Sequence, residues 1–133
     1  DVTKLSDEYF PTSHSGKRIL EIKLKKYLEY VQQLGAGEIL LQSIDRDGAK
    51  TGFDIELINL TTKEVSVPVI ALGGAGSWED FKQVLLETDA DGVAAANIFQ
   101  HVDQSVYQAH NFLYNLGLPV RPPQLFEIWG CND

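Results

Sequence analysis

The sequence predicts an α/β fold built on a parallel sheet, and three observations carry that expectation. Amphipathic helical stretches alternate with short apolar runs about every 25–30 residues; each run is strand-sized without a helical period; and each is followed by turn-forming Gly or Asp residues. At 133 residues, 44% hydrophobic and 23% charged, the chain is long enough for one domain with a buried core.

Val2 to Arg18 sets Tyr9, Phe10, Thr12 and His14 among polar residues, which predicts a small excursion or hairpin. From Ile19 to Leu34, Leu20, Leu24, Tyr27, Val31 and Leu34 recur at helical spacing, with Gly35 as the stop. Gly37 to Ile44 (GEILLQSI) reads as a strand buried on both faces, closed by Asp45, Asp47 and Gly48. Asp54 to Leu60 offers a short helix. Val67 to Leu72 (VPVIAL) repeats the strand pattern, with Pro68 near its start, where a missing donor costs least. Gly73, Gly74 and Gly76 make the next turn, and Ser77 can cap a helix with Trp78, Phe81, Val84 and Leu85 on its apolar face, although Asp80 sits where a capping box prefers Glu or Gln. Gly92 to Phe99 is a third strand of small residues, and Asp103 to Leu116 a last helix, with Val106, Ala109, Leu113 and Leu116 on one side.

Eleven Lys and Arg against nineteen Asp and Glu give a net charge of −8, and no basic run is long enough to follow a nucleic-acid backbone or an anionic bilayer. No segment approaches the roughly 20 apolar residues of a membrane span, and the start does not resemble a signal peptide. A soluble, cytoplasmic protein with neither nucleic-acid nor membrane partners is expected. The single Cys131 excludes an intrachain disulfide and stands apart in sequence from His14, His101 and His110, so no metal site and no cofactor are expected. The absence of methionine and the start at Asp1 suggest a piece of a longer chain.

Parallel sheets place ligands at the carboxyl ends of their strands, which points to the loops Asp45 to Gly52, Gly73 to Ser77 and Asn97 to His101. Gly73-Gly74 lets the backbone approach a ligand, and the helix starting at Ser77 offers free amides to the same place. Phosphate is the expected guest, although a Gly-Gly turn is equally a purely structural device. Asp45 to Glu56 has the length of a calcium loop, but Ala49 cannot ligate and the glycine is misplaced, which rejects that reading.

Gly35 to Ile58 (GAGEILLQSIDRDGAKTGFDIELI), Val67 to Gly76 (VPVIALGGAG) and Asp89 to Phe99 (DADGVAAANIF) together resemble the cyclase subunit of imidazole glycerol phosphate synthase, the histidine-biosynthesis (β/α)8 barrel. The related isomerase barrel has Gly-Pro-Asn where this chain has Gly52-Phe53-Asp54, which favours the cyclase. The resemblance implies half of a TIM barrel, βα units five to eight, over residues 1–121, followed by a tail from Pro122 to Asp133. It places Asp1 on a catalytic aspartate at the tip of the fifth strand, which in the family works with a second aspartate on the first strand as general acid and base. Without the resemblance Asp1 is an ordinary terminal residue.

It also implies that Asp47 and Gly48 after the sixth strand, Gly73 and Gly74 after the seventh, and Ala96 and Asn97 after the eighth hold one substrate phosphate. Glu38 matches a charged residue at the ammonia entrance on the opposite mouth, where a glutamine amidotransferase subunit docks. The implied activity is ammonia-dependent imidazole ring closure on a phosphorylated ribonucleotide, with the isolated half expected to be inactive. Where the family has Ser at two positions this chain has Leu72 and Asn97, and Gln42 replaces Thr or Asn. These departures leave open a paralogue that amidates a sugar, or a non-catalytic phosphate-binding half-barrel. Open sheet edges and uncovered strand faces predict a homodimer of half-barrels.

Overall fold

A computed structural model of the chain describes residues 1–101 and 106–123. It contains two three-stranded sheets. The first is antiparallel: β1 (Val2–Leu5), β2 (Glu8–Ser13) and β3 (Arg18–Ile19) follow one another as neighbours. The expected excursion is therefore a hairpin extended by a short third strand. The second sheet is parallel, in the order β4 (Ile39–Gln42), β5 (Val69–Leu72), β6 (Gly92–Ala94), with Leu41 paired to Ala71 and Ala71 to Val93. Helix α1 (Leu24–Gln33) precedes β4, and α2 (Ile55–Glu64), α3 (Trp78–Glu87), α4 (Asn97–His101) and α5 (Val106–Asn115) run between and after the strands of this sheet. A parallel bridge between Val2 and Ser43 connects the two sheets, so the residue after Asp1 runs alongside the end of β4. Successive βα units on a parallel sheet are the arrangement of a half-barrel.

Alternation along the strands explains the core. Leu41, Val69 and Ala71 are buried with Leu28 of α1, Leu57 and Ile58 of α2, and Val84 of α3, while Leu40, on the opposite face of β4, is 56% exposed. The expectation that these strands are buried on both faces is thus corrected. Their continuous apolar runs are covered on one side only, because among the described residues the helices pack on a single face.

Several boundaries shift for identifiable reasons. α1 starts at Leu24 rather than Ile19, because Arg18 and Ile19 pair with Ser13 and Thr12, and Leu20 N–H donates to the Pro11 carbonyl. It ends as expected at Gly35, whose φ of +89° allows Gly35 N–H to bond the Gln32 carbonyl and Ala36 N–H that of Val31. α2 continues past Leu60 to Glu64, since Thr61 turns into the core with no exposure. The third parallel strand stops at Ala94 instead of Phe99. Asn97 to His101 is helical, which turns Ile98 inward to 1% exposure and stacks Phe99 5.7 Å from Trp78. In α5, Ala109 and Leu113 are buried, whereas Val106 and Leu116, assigned to the same face from the sequence, are largely exposed. The expected start of that helix at Asp103, most of the tail from Pro122, and Cys131 lie outside the described residues.

Burial sets a contrast that mutation can test. Leu57→Ala, at a 1%-exposed site in the core cluster, is expected to cost about 2–5 kcal/mol in urea denaturation. Leu86→Gln, at a 62%-exposed site on α3, is expected to stay within about 0.5 kcal/mol.

Candidate functional site

At the carboxyl ends of the three parallel strands, the following loops converge on one small hollow. Asp47 and Gly48 come from the loop after β4, Gly73 and Gly74 from the loop after β5, and Ala96 and Asn97 from the junction of β6 with α4. All six residues expected to hold phosphate therefore line a common surface, completed by Leu72, Ala75 and Ala95. The enclosed space is about 10 Å³, close to the volume one water-sized probe occupies.

Local chemistry shapes this hollow. Gly73 and Gly74 have φ of +97° and +107°, and a Cβ on Gly73 would lie 2.6 Å from the Ser43 carbonyl oxygen. A Cβ on Gly74 would collide with the carbonyl oxygen of Gly52, whose N–H donates to the Gly74 carbonyl at 3.0 Å. The glycine pair thus lets the loop after β4 seat directly against the loop after β5. The amides of Gly48 and Gly74 have no hydrogen-bond acceptor among the described residues, which leaves them available to an anion. Phe53, Phe81, Trp78 and Phe99 form an aromatic chain with centroid separations of 5.6–5.9 Å, edge-to-face at the first two contacts and tilted at Trp78–Phe99, joining the loop after β4, α3 and α4.

One expected contributor is redirected. The amides of Gly76 and Ser77, just before α3, are not free: Asp80 Oδ2 accepts from both at 2.8 Å, in a reciprocal capping box with Ser77. The Asp80 carboxylate therefore already occupies the positive end of that helix. Asp47, by contrast, accepts from Gln42 Nε2 at 2.9 Å, so Gln42 on β4 holds that carboxylate at the rim. Asn97 brings its side-chain nitrogen close to Gly48, within 3.2 Å of where a Cβ would stand.

Asp1 is exposed, and its carbonyl accepts from Thr12 N–H at 2.8 Å, which ties it to β2. Glu38 precedes β4 at the opposite, amino end of the sheet and is exposed. A cavity of about 260 Å³ along the free edge of β4 and beneath α1 has both Asp1 and Glu38 in its lining.

A polar cluster that sequence reasoning did not single out lies beside the hollow. Asp45 Oδ1 accepts from the Thr3 hydroxyl and Asp45 Oδ2 from Lys4 N–H, both at 2.8 Å. Glu56 pairs with Lys4 Nζ at 2.6 Å, and the Tyr9 hydroxyl lies 3.0 Å from Asp54 Oδ1 and 3.1 Å from Glu56 Oε2. Asp54 also caps α2 through Leu57 N–H. Burial, followed by the Asp54 charge, drives the Tyr9 hydroxyl well above its usual value. The Lys4 hydrogen bond, followed by that of Tyr9, lowers the Glu56 carboxyl. Partners more than 40 positions apart leave no local signal; only the capping position of Asp54 was readable.

A sequence profile of the family described as "Histidine biosynthesis protein" matches residues 5–105. The chain belongs to that family. It is 43% identical over 121 residues to imidazole glycerol phosphate synthase subunit HisF of Chlorobium phaeovibrioides, covering 91% of this chain and 48% of that protein. The HisF proteins of Chlorobaculum tepidum and Hyphomonas neptunium are each 41% identical with the same coverage. The chain spans about half the length of the curated relatives it matches. No helix among the described residues is long and apolar enough to cross a membrane.

Two outcomes follow. Gly74→Val is expected to separate the two loops, abolishing phosphate-induced NMR shifts at Gly48 and Asn97 and lowering the thermal midpoint. The lowered Glu56 carboxyl stabilises the hairpin fully above its unfolded value, 4.5, and that contribution fades as pH falls through the still lower folded value. Hydrogen exchange in β1, corrected for its intrinsic pH dependence, should therefore be steady from neutrality to about pH 5 and rise below it, and Glu56→Gln should flatten this dependence.

Proposed function

We propose that this chain is the phosphate-binding, carboxyl-terminal half of an ammonia-dependent cyclase that closes an imidazole ring on a phosphorylated ribonucleotide in histidine biosynthesis. The observation that carries this reading is the convergence of Asp47, Gly48, Gly73, Gly74, Ala96 and Asn97 on one hollow at the carboxyl ends of the strands. In a chain of net charge −8, backbone amides hold a dianion without a cationic cluster, and the Asn97 amide adds a side-chain donor. Asp1 supplies one of the two acid/base groups that ring closure needs, and its partner comes from a first strand. Glu38, at the other end of the sheet, marks the ammonia entrance, where a glutamine amidotransferase subunit docks on the full-length parent. The setting is cytoplasmic.

Leu72 in the lining puts an aliphatic side chain where the resemblance implies a hydroxyl, and this favours a second reading: the same ammonia-accepting barrel acting on a different phosphorylated or nucleotide sugar. Steady-state turnover of the full parent with ammonia, given the ribonucleotide or an amidatable sugar nucleotide, separates the two.

The 133-residue chain alone is expected to show no cyclase turnover with ammonia, since a missing acid/base partner typically costs about 10²–10⁴-fold and one phosphate grip is also lacking. In a full parent, Asp1→Asn should reduce kcat far more than it raises KM. The uncovered face carrying Leu40 and the free edge of β4 also support a homodimer of half-barrels. Light scattering at micromolar concentration should give twice the monomer mass of 14.8 kDa, and a folded monomer would refute the dimer.

A further inference from the structure

We infer that Asp45 and Tyr9 are positioning residues that couple occupation of the phosphate hollow to the placement of Asp1; this rests on the reading that the hollow binds phosphate. Three hydrogen bonds join the segment immediately after Asp1 to the loop after β4. Ile44 N–H donates to the Val2 carbonyl at 3.0 Å, and the Asp45 carboxylate takes Thr3 Oγ1 and Lys4 N–H at 2.8 Å each. The same loop closes on itself through Asp47 N–H to the Ser43 carbonyl at 3.0 Å and brings Gly48 to the hollow. Asp45 is thus three residues from Gly48 along the loop and in direct contact with residues two and three beyond Asp1.

A second anchor steadies the far side of the hairpin. The Tyr9 hydroxyl meets Asp54 and Glu56 at the start of α2, Lys4 Nζ meets Glu56, and the Lys4 ammonium stands 5.0 Å from the Tyr9 ring centroid. Thr3 is 8% exposed and Tyr9 6% exposed, so both bonds form in partly dry surroundings, where they hold geometry more firmly than surface pairs. Held at both ends, the hairpin moves with the loop. When an anion accepts the Gly48 amide, the displacement passes through Asp45 to Lys4 and from there to Asp1, whose carbonyl is fixed to Thr12.

The test is titration of the 15N-labelled chain with inorganic phosphate. Wild type should shift the amides of Gly48, Gly74 and Asn97 and, with the same midpoint, those of Lys4 and Thr12. Asp45→Ala and Thr3→Val should reduce the Lys4 and Thr12 shifts at least about threefold while those at Gly74 and Asn97 persist. Tyr9→Phe should raise amide exchange in β1 and β2 about tenfold and leave the phosphate midpoint within about twofold. Absence of shifts at Gly48, Gly74 and Asn97 in wild type would overturn the phosphate reading itself. Shifts at those residues with none at Lys4 and Thr12, or with equal shifts at Lys4 and Thr12 in Asp45→Ala and Thr3→Val, would overturn the coupling alone.

Discussion

The contact on which the site depends is the backbone approach of Gly52 to Gly74. It needs a residue without a Cβ at φ +107°, and it brings two loops more than twenty residues apart to a 3.0 Å hydrogen bond. Once the loops are so joined, Phe53 is directed into the aromatic chain over Phe81, Asp54 reaches its capping position on α2, and Gly48 faces Asn97. The hollow is a by-product of this seating. Six of the nine residues that line it are Gly or Ala, so its shape depends less on rotamers than on where the strands end.

The glycines serve packing, and in the proposed function the same positions also admit the ligand, so the two roles are compatible. A turn that must admit another backbone also leaves its own amides unshielded, and those amides are what an anion needs. The capping of α3 shows the complementary choice. Asp80 accepts from the Gly76 and Ser77 amides just before that helix, so those two amides are satisfied within the chain. One helix end is thus stabilised internally, while the Gly48 and Gly74 amides have no acceptor among the described residues.

The hairpin follows another logic. It is a minor contributor to the apolar core, with Val2 and Tyr9 buried, and it is held mainly by carboxylates on the loop after β4 and on α2. Such charge-assisted bonds are directional, and they fix orientation where burial alone would allow sliding. That suits a segment whose first residue carries the acid/base carboxylate in the proposed reaction.

Local pattern was enough to determine the alternation of the main helices with the three parallel strands, the stop at Gly35, the cap at Ser77, and the turns after β4 and β5 that meet at the hollow. Each of these depends on neighbours within a few positions, or on the rule that parallel strands gather their following loops at one end. Tertiary structure decided the rest. Asn97 to His101 could pass for the end of a strand until the burial of Ile98 and the stacking of Phe99 on Trp78 made a helix the better packing. Thr61 prolongs α2 because its side chain is enclosed, which no local preference of threonine announces. The links from Thr3 and Lys4 to Asp45, and from Tyr9 to Asp54 and Glu56, join residues 41 to 47 positions apart. They exist only because the parallel sheet first sets the start of β1 beside the end of β4, a long-range pairing to which the individual residues give no clue.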